Sequence, residues 1–272
     1  MLTDHFFQHF QRPDVFAATI GQSRNRWVSV SSSLKAHEVK QMMQNQRYDI
    51  MPIIEKDGAL SRYFKTERWG DYDRVERSKI NPQDTLYYLT HIRDVIHMMA
   101  EQDRKYFFLR NEDRILGLVT ISNLNARPVY LYLYHTLLLL ETELGEWLQN
   151  YLGEEQIKGL LKELPGGNDV HGGYKQYKED RENGIESDIL EYLFLGDMFE
   201  IIRRKNLYQE LNYRTLERFD QHLQKLRQMR NTVAHPNRSL VHGAESLKEL
   251  WQSLRKLEEL LDRVAVKSVV PG

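Results

Sequence analysis

Asp49-Ile50-Met51-Pro52-Ile53-Ile54 is a nearly unbroken apolar run that ends at the turn signal Lys56-Asp57-Gly58. Further along, Tyr106-Phe107-Phe108-Leu109 reaches Asn111-Glu112-Asp113 and closes with Ile115-Leu116-Gly117-Leu118-Val119-Thr120. Short apolar runs bounded by turn residues predict strands, and Asp-Gly between two such runs predicts a hairpin. A helical pattern precedes each pair: Ala36, Val39, Met42 and Met43 in one copy, Ile92, Val95, Ile96 and Met99 in the other. A leading strand is expected at Trp27-Val28-Ser29-Val30, and a second near Ile80-Asn81-Pro82. The order strand–helix–strand–turn–strand–helix, used twice, predicts two small βαββα units, each a sheet covered by helices on one side.

Working outward, the texture changes at Pro128, where the residue before proline is pushed out of the helical region. The predicted boundary divides the chain into residues 1–128 and 129–272. The first part is α+β with an N-terminal helical extension, whose Phe6, Phe7 and Phe10 suggest an apolar face. The second part is predicted to be an all-α bundle. Its helices fall at 129–152, 154–164, 186–205, 215–235 and 246–264, and the Gly- and Pro-rich stretch 165–183 reads as a loop. With 272 residues, 38 Lys+Arg against 39 Asp+Glu and a formal charge of −1, bulk charge argues for neither nucleic-acid nor membrane binding. Any such partner must be met by a local patch. There is no cysteine, which excludes disulfide scaffolds, thiolate metal sites and cysteine nucleophiles. The most apolar stretch, Val129 to Leu140, is interrupted by His135 and is too short to span a bilayer. The opening residues lack the basic start and apolar run of a signal peptide, so a cytoplasmic protein is expected.

The duplicated unit, over residues 20–126, resembles a pair of CBS domains. The pieces that carry the likeness are Met51-Pro52-Ile53-Ile54-Glu55-Lys56-Asp57-Gly58 and Gly117-Leu118-Val119-Thr120-Ile121-Ser122-Asn123-Leu124. Such pairs often sense adenine nucleotides, through a Thr or Ser followed three residues later by an Asp. Thr120 and Ser122 are present here, but Asn123 stands at the Asp position. Its carbonyl oxygen is expected to accept a ribose hydroxyl without a carboxylate's charge. The resemblance implies an adenine nucleotide or a cyclic oligonucleotide as regulatory ligand. On the residues alone, Thr120 to Leu124 is equally a capped helix start with nothing bound.

In the helical part, Arg230-Asn231-Thr232-Val233-Ala234-His235 ends the fourth predicted helix, ahead of Pro236. Asn231 and His235 are four apart and fall on one helix face, with Arg227 on the same row a turn earlier. Guanidinium, amide and imidazole together suit chemistry on a phosphodiester. Lys225, Arg227, Arg230 and Arg238 form a local basic run with no acid among them, as an RNA backbone requires. Glu141 and Glu143 on the first helix are candidate polar partners of the motif, while His171, His222 and His242 read as surface residues.

That hexapeptide resembles the Arg-x4-His signature of HEPN domains, and Leu195-Gly196-Asp197 is similar to the family too. The likeness covers residues 130–265. It implies a metal-independent endoribonuclease with Arg230, Asn231 and His235 catalytic, in which the ribose 2′-hydroxyl attacks the adjacent phosphate. It also implies a homodimer with a composite active site. Arg227 and Arg238 are the candidate RNA contacts, and no metal is expected. Three readings stand at this point. The first is a nucleotide-regulated nuclease of toxin or antiviral type. The second is a non-enzymatic ligand-sensing dimer. The third is a substrate of a nucleotidyl-transferring partner.

Overall fold

The computed structural model describes residues 13–68, 70–164 and 172–268. Phe6, Phe7, Phe10 and His171 lie outside them. The chain divides into two compact units, Val15–Val129 and the helical region from Tyr130 onward. The first is mixed α+β with two sheets, and the second is an all-α bundle.

The first unit contains, in order, α1 (Ala17–Ile20), β1 (Gln22–Ser23), β2 (Val30–Ser31), α2 (Ala36–Gln46), β3 (Ile50–Ile54), β4 (Arg62–Arg68) and β5 (Asp71–Lys79). It continues with β6 (Thr85–Tyr87), α3 (Ile92–Glu101), β7 (Tyr106–Asn111), β8 (Arg114–Thr120) and a short 3-10 turn, Ile121–Asn125. One sheet has the order β2-β3-β4-β5 and the other β1-β8-β7-β6. In both, the strand before the helix pairs parallel with the strand after it, and the hairpin partner is antiparallel. Gly58 turns the first hairpin at φ +78°, a conformation that favours glycine. At Gly117 β1 crosses so closely that a Cβ would lie 2.5 Å from the Gln22 carbonyl oxygen.

Successive strand residues point to opposite faces. Met51, Ile53 and Phe64 therefore pack with Val39 and Met43 of α2. Ile50 and Tyr63 turn the other way and meet Phe108 and Leu118 of the second sheet, with Trp27 beside them. Tyr63 and Tyr106 share a 2.6 Å hydroxyl–hydroxyl hydrogen bond, and burial raises the pKa of both.

The first copy departs from the expected βαββα order. Where a second helix was expected, the nine-residue β5 folds back antiparallel on β4 through a turn at Gly70, φ +80°. Only Tyr72 and Val75 of β5 pack on the core, and its other side chains are largely charged. That spacing offers no helical stripe, and an outer strand carrying charge resists further pairing. The leading strands are also shorter than expected. Trp27 lies outside β2, and β6 starts only after the 3-10 turn Pro82–Asp84.

The second unit holds α4 (Arg127–Leu152, which begins in the first unit's range), α5 (Glu154–Glu163), α6 (Gly172–Glu182), α7 (Leu195–Arg204), α8 (Leu216–Ala234) and α9 (Ala244–Ser268). Its core is built from apolar stripes such as Leu133, Leu137, Leu140, Leu144 and Leu148 of α4 and Phe219, Leu223, Leu226 and Met229 of α8. Much of the stretch expected as a loop is helix α6, the rest of it lying outside the described residues apart from Asn183. This helix is supported by Lys175–Glu179 and Lys178–Glu182 pairs and by burial of Tyr177 under Lys158. The helix expected over 186–205 is broken. Asp188 caps a 3-10 turn, Ile189–Tyr192, and Phe194 then leaves the helical region to become the N-cap of α7.

His222, expected at the surface, is buried. Its Nε2–H donates to the Lys256 carbonyl at 2.7 Å, because a carbonyl can only accept. Nδ1 is therefore the acceptor for the Tyr213 hydroxyl at 2.8 Å. Arg263 lies over the Tyr213 ring and donates to the Leu211 carbonyl. Burial is the main cause that brings the His222 pKa down from 6.5 to about 4. The neutral ring's contribution is therefore complete above pH 6.5 and disappears as pH falls toward 4, a loss of up to about 3 kcal/mol. Urea midpoints of the helical unit measured down that range should fall steeply in the wild type and more shallowly in His222→Gln.

Candidate functional site

Arg230 and Asn231 lie exposed near the C-terminal end of α8. His235 follows the helix as its C-cap, at φ −118° and ψ 76°. It has left the helical path, so the shared row with Asn231 expected from spacing four ends one residue short. Its own N–H donates to the Thr232 carbonyl at 3.2 Å, and its carbonyl accepts the Arg238 N–H at 2.9 Å, closing a turn. The Tyr130 hydroxyl of α4 donates to the Arg238 carbonyl and ties that turn to the bundle. The His235 imidazole is exposed above this anchored backbone.

The charge of Arg230 reaches Glu141 of α4. Glu141 is half-buried, and burial raises its pKa, while the Arg230 charge and a hydrogen bond from the Leu195 N–H oppose the rise. Leu195 is the first residue of α7, where unsatisfied N–H groups favour a carboxylate. Asp197 completes the same helix end by accepting the Phe194 N–H at 3.0 Å. Glu141 of α4 is thus stabilised as a carboxylate by the start of α7 and by the charge of Arg230 on α8. Glu143 is not placed there, its carboxyl being raised by burial and by Glu146. Arg227 lies with its guanidinium over the Phe199 ring, and Lys225 donates to Gln252. Arg238 is exposed. Sequence reasoning missed Tyr130, because nothing in a tyrosine after Pro128 marks a contact made 108 residues away.

The nucleotide candidates of the first unit converge in a separate place. Thr120, Ser122 and Asn123 line a cleft of about 250 Å³ together with Trp27, Arg47, Tyr48, Asp49, Ile50, Pro52 and Leu118. Asn123 Oδ1 accepts both the Thr120 N–H, at 2.7 Å, and the Thr120 hydroxyl, at 3.0 Å. The carbonyl oxygen expected to receive a ribose hydroxyl is therefore already occupied. Trp27 is buried, and its Nε1–H has no acceptor among the described residues. Asp49 Oδ1 accepts from the Thr66 hydroxyl at 3.0 Å and from the Gly70 N–H at 2.6 Å, holding the β4–β5 hairpin.

Among the described residues no cluster of His, Asp or Glu is arranged to hold a metal ion, and no helix is long and apolar enough to cross a membrane. No family model matches the chain, and no curated protein matches it.

In Arg230→Ala the Glu141 carboxylate keeps its burial and loses its counter-charge. Its carboxyl should titrate higher than in the wild type, which carbon-detected NMR of the side-chain carboxyl reads directly.

Proposed function

We propose that the helical unit is a HEPN-type, metal-independent endoribonuclease and that the α+β unit is a CBS-type pair regulating it through a bound nucleotide. The observation that carries this reading is the exposed run of Arg230, Asn231 and His235 at the end of α8, with Glu141 within range of the Arg230 charge. An exposed guanidinium has its donors available for the phosphoryl oxygens of RNA. In the proposed step the ribose O2′ bonds to the adjacent phosphorus and the bond from phosphorus to O5′ breaks. The products are a 2′,3′-cyclic phosphate and a free 5′-hydroxyl.

A neutral His235 takes the proton from O2′, and an imidazolium delivers one to the departing O5′. Arg230 stabilises charge on the non-bridging oxygens, and Asn231 orients the phosphate. One histidine per chain matches two roles when two chains share a site, so a homodimer is part of the proposal. Leu131, Tyr134 and Leu138 support it, forming an exposed apolar stripe on α4 at 63%, 48% and 40% exposure. Arg227 and Arg238 are the proposed RNA contacts, and a growth-arresting toxin or antiviral role is the proposed context.

Cleavage of a labelled single-stranded RNA in EDTA, with and without AMP or ATP, tests the chemistry. Arg230→Ala and His235→Ala should each lose about 100-fold or more in rate while keeping the wild-type melting profile. Full activity in either variant would remove the proposed site, and absence of cleavage under every condition would leave the non-enzymatic sensor reading in its place. Separately, Tyr134→Glu should convert a dimer to a monomer by light scattering, at unchanged helix content.

A further inference from the structure

The cleft of the first unit has a chemistry that goes further than the nucleotide-sensor reading, on which the following rests. Its apolar walls come from Trp27, Tyr48, Ile50, Pro52 and Leu118, and its polar end from Thr120, Ser122 and Asn123. At that end the orientation of Asn123 is settled by its neighbour. An amide nitrogen cannot accept the Thr120 N–H, so Oδ1 is the atom 2.7 Å from it. With Oδ1 accepting twice, both of its lone pairs are used. What Asn123 retains for a ligand is its Nδ2, which carries two donors and no acceptor. The cleft adds the Arg47 guanidinium and the buried indole N–H of Trp27, which has no acceptor among the described residues. Its one carboxylate, Asp49, commits Oδ1 to the β4–β5 hairpin through both of its hydrogen bonds.

A sugar diol presents two hydroxyl donors and is gripped by a carboxylate that accepts both. A phosphate presents only acceptors and is gripped by donors. Apart from the second oxygen of Asp49, the charged and amide groups here are of the second kind. Thr120 Oγ1 has given its proton to Asn123 and can accept from one sugar hydroxyl, a single neutral hydrogen bond worth a factor of about five. A volume of about 250 Å³ suits one nucleotide better than a larger ring. We propose that this cleft holds a nucleoside monophosphate by its base and phosphate and is nearly blind to the sugar diol, so that ribo- and deoxyribonucleotides bind alike. Asn123 is the specificity-determining residue.

Titration calorimetry of the full chain with AMP, its 2′,3′-dideoxy counterpart and adenosine tests this. AMP and the dideoxy nucleotide should bind within about fivefold of each other, and adenosine at least about tenfold more weakly. Asn123→Asp keeps the oxygen that Thr120 needs and exchanges the donors for a carboxylate oxygen. It should weaken AMP by about tenfold and create a preference for the free diol. Trp27→Phe, which keeps an aromatic ring in the wall but removes the N–H, should weaken both nucleotides.

A wild-type preference of more than about tenfold for AMP over the dideoxy nucleotide would overturn the proposal while leaving the nucleotide sensor intact, as would tighter AMP binding by Asn123→Asp. Unchanged binding in Trp27→Phe would place the ligand elsewhere and overturn it as well. No binding of either nucleotide to the folded wild type would overturn the sensor reading and this inference together.

Discussion

The central strands of the first unit are covered on both faces, and most of that unit's architecture depends on this constraint. In β3 and β4 one face meets α2 and the other meets the second sheet, and Phe108 and Leu118 of β7 and β8 complete that inter-sheet core. Alternation between apolar and polar residues gives way to near-continuous apolar runs such as Ile50–Ile53 and Phe107–Leu109. Each large side chain buried there contributes about 1.5–3 kcal/mol, so a register slip would exchange two cores at once rather than one. The close approach of the sheets also limits which polar groups can be enclosed. Tyr63 and Tyr106 satisfy each other, and Asp84 is held by Arg104 at 2.6 Å. Trp27 is the exception, with its N–H left over at the edge of the same apolar cluster, where the cleft begins. An unsatisfied buried donor costs about 1–3 kcal/mol, and a ligand oxygen would recover it.

The helical unit poses the converse problem of placing a carboxylate where burial opposes its charge. Glu141 is tolerable because a helix N-terminus and a guanidinium converge on it. The Tyr130 bond to the Arg238 carbonyl anchors the backbone that follows His235. In the proposed nuclease, side chains that meet a phosphate are mounted on anchored backbone, which lowers the entropy lost on binding.

How much of this was legible in the sequence follows the range of the interactions involved. The two strand–helix–strand units, the Asp57-Gly58 hairpin and the stripes of α4 and α8 rest on contacts within a few residues, and they read correctly. The hairpin strand β5 did not, because Asp71–Lys79 has neither helical periodicity nor a continuous apolar run, and β4 supplies its reason to be a strand. α6 was hidden by the flanking glycines and by a charge-rich composition, its stability coming from (i, i+4) pairs and one tyrosine packed on α5. The break before α7 turns on capping by Asp188 and Asp197, each a local signal overridden in the reading by the apolar residues around it. His222 was misplaced because nothing near it in sequence announces Tyr213 or the Lys256 carbonyl as partners. In the candidate sites the residue types were readable, but not what they do. Asn123 is present where expected, yet its oxygen is consumed by Thr120, and Glu141 was one of two candidates until the fold chose between them.

For the proposed regulation, energetics set a condition that the cleft's composition meets only in part. A nucleotide shifts the helical unit only by binding two states of the chain unequally, and each tenfold difference in affinity supplies about 1.4 kcal/mol. Moving a population from one part in a hundred to ninety-nine needs about ten-thousandfold discrimination. Three ligand-facing groups, Trp27, Arg47 and Asn123, make such a difference large only if one state loses most of them. They are well distributed for that, since Trp27 and Arg47 belong to the first copy and Asn123 to the second. A ligand held by all three bridges the copies, and any change in how the copies sit removes contacts in a block. The chain then leaves the turn that carries Asn123 directly into α4, the helix that bears Tyr130 and Glu141.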